Sequence, residues 1–91
     1  MPDRHAVKLT IRNKYGLHAR PATTFAQTAM GFGCDVRVAR GDEVSDGKSV
    51  MELMMLAATA GTEIEITAEG DDAEDCLRQL ADLGNRGFDE D

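Results

Sequence analysis

Basic side chains are scarce in this 91-residue chain: 10 Lys and Arg stand against 17 Asp and Glu, a formal charge of −7. That balance argues against nucleic acid as a main partner, because phosphate backbones are held by clustered Lys and Arg. No apolar run approaches the ~20 residues of a membrane-spanning helix. The opening MPDRHAVKL has no long apolar signal core, so membrane insertion and export are not expected and a cytoplasmic location is. Cysteine is limited to Cys34 and Cys76. Neither forms a CxxC pair or a Cys/His spacing suited to zinc, and in a reducing compartment both read as small buried apolar side chains. No His/Asp/Glu cluster asks for a metal, and nothing in the chain asks for a cofactor. His5, outside any motif, reads as a solvated or packed histidine. There are no repeats and no low-complexity linker. With 42% hydrophobic and 30% charged residues, the composition is that of one small globular domain over 1–91, closed by an acidic tail expected to fray from about residue 87.

Hydrophobic periodicity divides the chain. Val7, Leu9 and Ile11 alternate with polar residues, the period of a half-buried strand. From His18 to Met30 the apolar positions Ala19, Ala22, Phe25, Ala26, Ala29 and Met30 have helical spacing, with Pro21 suited to a first turn. Val36 and Val38 continue from Cys34 on one face of a second strand. A turn at Gly41 leads to a short strand near Val44, and Arg40-Gly41-Asp42 reads as part of that turn. Ser49 is placed to cap a helix running to about Ala58, with Leu53, Leu56, Ala57 and Ala60 as its core stripe. Ile64, Ile66 and Ala68 alternate in a further strand. Asp71 is expected to cap a last helix, with Glu74 three residues on and Gly84 as its stop. The order β-α-β-β-α-β-α, with strands apolar on one side only, predicts an α+β open-faced two-layer sandwich: a four-stranded antiparallel sheet covered on one face by three helices.

Chemistry concentrates in Gly16-Leu17-His18-Ala19-Arg20-Pro21-Ala22. The pattern puts His18 at a helix start, where backbone N–H groups lack partners and the helix dipole is positive. Such a place binds phosphate. It disfavours a protonated imidazole and so favours a ring nitrogen able to act as a nucleophile. Arg20 occupies a first turn that holds no acid, against the usual preference for Asp or Glu there. A guanidinium beside a nucleophilic histidine makes sense where an anion visits. Gly47-Lys48-Ser49 echoes the end of a nucleotide-binding loop, but Asp42 stands where that loop needs glycine.

This heptapeptide resembles the active-site signature of the HPr family, the histidine phosphocarriers of the bacterial phosphoenolpyruvate-dependent phosphotransferase system. A second stretch, Asp46-Gly47-Lys48-Ser49-Val50-Met51 followed by Leu53-Met54-Met55-Leu56-Ala57-Ala58, resembles the family too, as do length and element order. The resemblance implies that His18 accepts a phosphoryl group on Nδ1 from phospho-enzyme I and passes it to an IIA domain, while Arg20 balances the phosphate charge. It implies a monomeric carrier rather than a stand-alone enzyme. It also implies a partner surface at Val50, Met51 and Met54, where methionine adapts to several partners.

Ser49 carries two readings. One is the helix cap, worth about 1 kcal/mol. The other, from the resemblance, is the serine that an HPr kinase/phosphorylase phosphorylates in some members. Glu52 and Tyr15 depart from common family residues. NKYGLHARPA also resembles the nitrogen-related NPr branch, so sugar uptake and nitrogen-type regulation both stay open. A binding module whose His18 is never phosphorylated, and a small anion-binding structural domain, are the competing classes.

Overall fold

The computed structural model describes residues 3–89. The elements are β1 (Arg4–Thr10), α1 (Ala19–Met30), β2 (Asp35–Arg40), β3 (Glu43–Asp46), α2 (Val50–Met55), β4 (Glu63–Glu69) and α3 (Ala73–Asn85), closed by a 3-10 turn over Gly87–Asp89. The strands form one antiparallel sheet in the order β1-β4-β2-β3. This is the architecture that the alternating strands and amphipathic helices predict. Register aligns Leu9 with Ile64, and Val7 and Val38 with Ile66. The apolar positions of the central strands therefore share one face, against which the helices pack Phe25, Leu53, Leu77 and Leu80. The other face carries Arg4, Asp35, Arg37, Glu65 and Glu69. No helix among the described residues is long and apolar enough to cross a membrane, and no cluster of potential metal ligands occurs among them. Cys34 and Cys76 are buried free thiols, and burial pushes the Cys76 thiol up to about 12.

Four details depart from the sequence pattern. Helix α2 ends at Met55 rather than near Ala58, because Ala57 takes a left-handed conformation (φ 52°) that turns the chain. As a result Leu53, Leu56 and Ala58 are buried, whereas Ala57 and Ala60 are exposed. The cap residue of α3 is Asp72, not Asp71. Its carboxylate leaves its own helix and accepts the Gly33 and Cys34 amides at 2.8 and 2.9 Å. Gly84 lies inside α3 instead of ending it, and its missing side chain admits Leu9. Finally, Gly87–Asp89, expected as the start of a frayed tail, form a 3-10 turn that buries Phe88 in the core, and Glu90 and Asp91 lie outside the described residues.

Candidate functional site

The loop between β1 and α1 is fastened on both sides. The Ile11 amide donates to the Thr62 carbonyl, and the Gly61 amide to the Ile11 carbonyl, each at 2.8 Å. Asn13 Nδ2 donates to the Gly16 carbonyl at 2.6 Å, and the Gly16 amide returns to the Asn13 carbonyl at 3.1 Å. Gly16 itself has φ 69°, a conformation glycine adopts without cost. The next amide, Leu17, donates to the Ala58 carbonyl at 2.8 Å. The segment after α2 is thus stitched to the residue before His18.

His18 is the N-cap of α1 (φ −81°, ψ −170°), and its half-buried side chain does not cap the helix. The first intrahelical bond runs from the Ala22 amide to the His18 carbonyl at 2.9 Å. The amides of Ala19 and Arg20 precede that bond and have no intrahelical partner. Pro21, the third helical residue, has no N–H to offer. The first turn contains no acid, and Arg20 is exposed. The site thus comprises a histidine, two amides without an intrahelical partner and one guanidinium, at the positive end of a helix 12 residues long.

Helix α2 approaches from the other side. His18 shares a shallow depression of about 250 Å³ with Tyr15, Leu17, Met54, Ala57, Ala58 and Thr59. Met51 and Met54 are exposed, as a docking surface requires, while Val50 is partly packed against the core. Met55, 75% exposed, extends the apolar surface beyond the residues singled out in the sequence.

Ser49 stands at the start of α2. Its Oγ accepts the Glu52 amide at 3.2 Å, which is the capping role expected of it. Glu52 has a structural task of its own. Its Oε1 accepts the Asp46 amide at 3.0 Å, while its carbonyl accepts the Ser45 hydroxyl at 2.9 Å. The pattern Ser49-x-x-Glu52 is a sequence signal for this arrangement, a capping box whose glutamate reaches three residues further back than usual. Lys48 is also engaged internally, its Nζ donating to the Phe32 carbonyl at 2.8 Å.

The family described as "PTS HPr component phosphorylation site" matches residues 6–86. The chain belongs to the HPr family. It is 46% identical over 86 residues to the phosphocarrier protein HPr of Pseudomonas aeruginosa, covering 93% of this chain and 96% of that one. It is 41% identical over 83 residues to the phosphocarrier protein NPr of Escherichia coli, covering 89% and 91%. The crystal structure of HPr from Thermoanaerobacter tengcongensis superposes with a TM-score of 0.92 at 39% identity, covering 96% of this chain and 98% of that one. HPr proteins are phosphocarriers of the phosphotransferase system, and the His18 loop and α2 both fall inside the matched residues.

Proposed function

We propose that this HPr-family protein carries a phosphoryl group on His18, taking it from phospho-enzyme I and giving it to an IIA domain. One observation carries the reading: His18 stands at the mouth of α1, next to the first-turn amides of Ala19 and Arg20, in a turn with no acid. A lone pair on His18 Nδ1 bonds to phosphorus as the bond from phosphorus to the donor's nitrogen breaks, and that nitrogen keeps the electron pair. The reverse exchange delivers the group onward. Phosphoryl transfer of this kind asks for in-line positioning and stabilised charge. The two amides and the Arg20 guanidinium supply the charge stabilisation. The protein is a reaction partner and acts as a monomer. Met51 and Met54, with Val50 behind them, form the surface on which both partners dock. This step is common to sugar uptake and to nitrogen-type regulation.

Ser49 belongs to the reading first as the cap of α2. A phosphate added there by a regulatory kinase would stand in the same turn as Glu52, whose carboxylate already holds the Asp46 amide. The two charges would repel.

The test is incubation with phosphoenolpyruvate and cognate enzyme I. A carrier gains acid-labile, alkali-stable phosphate, and His18→Ala abolishes it. No transfer from a competent enzyme I would favour an unphosphorylated binding module instead.

A further inference from the structure

Tyr15 is 69% exposed, yet its ring is not idle. It meets the His18 imidazole edge to face, with centroids 6.0 Å apart and planes at 89°. Above the same ring lies the Lys14 ammonium, 5.3 Å from the centroid. Both residues sit in the turn that Asn13 and Gly16 close by two hydrogen bonds, so the backbone that delivers them is held in place. Tyr15 also walls the depression that His18 shares with Met54.

The geometry points to Tyr15, braced by Lys14, as a positioning residue for His18. This rests on the carrier reading above and deepens it. An edge-to-face pair has an orientational preference, and a cation over one ring face restrains that ring further. The tyrosine ring therefore restricts rotation of the imidazole, so that its reacting nitrogen keeps one direction relative to the Ala19 and Arg20 amides. Misorientation of a reacting atom slows transfer even where binding is intact. The contact uses the ring and not the hydroxyl, so phenylalanine serves in its place and alanine does not. Tyr15 also lines the depression beside His18 together with Met54, so it borders any side chain that docks there.

Tyr15→Ala, Tyr15→Phe and Lys14→Met variants test this, with two readouts. The first is the proton NMR spectrum of the unphosphorylated protein. Tyr15→Ala should shift the His18 ring protons and average its side-chain couplings; Tyr15→Phe should preserve both. The second is kcat/KM for phosphoryl acceptance from phospho-enzyme I, expected to fall about 2- to 10-fold in Tyr15→Ala, to remain within twofold of wild type in Tyr15→Phe, and to lie between these in Lys14→Met. Unchanged ring signals in Tyr15→Ala would overturn the inference, as would Tyr15→Phe losing as much rate as Tyr15→Ala. If the wild-type protein accepts no phosphoryl group, the carrier reading fails. The ring spectrum still decides whether Tyr15 orients His18.

Discussion

A β-carbon added at Gly16 would lie 2.3 Å from the Ala58 carbonyl oxygen, at a backbone φ of 69°. Gly16→Ala therefore combines a left-handed alanine with a clash against backbone, and should lower stability by about 2 kcal/mol or more in denaturant titration. Ala57 presents the opposite case. It already holds a left-handed conformation, φ 52°, without being glycine. Ala57→Gly relieves that conformation but loosens the unfolded chain, so stability in the same titration should stay level or rise by up to about 1 kcal/mol. Asp72 can be read through pH. The amides of Gly33 and Cys34 hold its carboxyl below the ordinary aspartate range. Its contribution is thus complete above that range and is lost as pH falls through the folded value. Asp72→Asn should flatten the acid limb of the stability curve relative to wild type. For Arg20→Ala, transfer to His18 should slow roughly 10- to 100-fold, the loss of a charge-assisted contact. The thermal midpoint should not fall, since Arg20 is exposed and its cation opposes the helix dipole.

At the level of the helices and strands, period-two and helical spacing located all but β3, which the turn at Gly41 announced, and the closing 3-10 turn, because each of the others buries one face against the same core. Positions 84 and 57 were not legible for a shared reason: both are set by contacts between segments far apart in sequence. Glycine within a helical pattern reads locally as a stop, but Gly84 is selected by Leu9, whose Cδ2 would lie 2.2 Å from an added Cβ. Gly84→Ala should overpack the contact between α3 and β1 and cost about 1–3 kcal/mol by thermal or chemical unfolding. Likewise the length of α2 is decided by the need to bring the Ala58 carbonyl to the Leu17 amide, a bond 41 residues apart along the chain. The cap of α3, expected at Asp71, falls on Asp72 for the same kind of reason, since the Asp72 carboxylate serves the segment leading into β2 rather than its own helix. The site was readable further than these details, because His18, Arg20 and Pro21 are nearly contiguous and the chemistry of a helix start is local. Tyr15 was visible only as an oddity of sequence. What it touches depends on a turn whose closure the sequence pattern does not display.

Over the whole molecule, charge is unevenly distributed. Arg4, Lys8, Arg12, Lys14 and Arg20 face one acid, Asp3, in the first 34 residues, whereas the other five basic side chains share the remainder with 16 acids. In space Arg4 and Lys8 of β1 stand opposite Glu69 and Glu65 of β4, so the unbalanced basic groups are Arg12, Lys14 and Arg20 on the approach to His18, on a protein whose overall charge is −7. On the carrier reading proposed above, a phosphorylated donor would meet this end favourably and the rest of the surface unfavourably, which would orient the encounter. Raising ionic strength from about 0.05 to about 0.5 M should slow phosphoryl acceptance several-fold, since the Debye length contracts well below ~10 Å. Salt-independent rates would show that apolar docking at α2 alone governs association. The proline three places into α1 bears on the moment after the partners have met. By withholding one amide from the mouth of the helix, Pro21 would leave a phosphate carried on His18, as proposed above, with a shallow grip. A courier that must surrender its parcel moments after accepting it works best when neither end of the exchange lies steeply downhill.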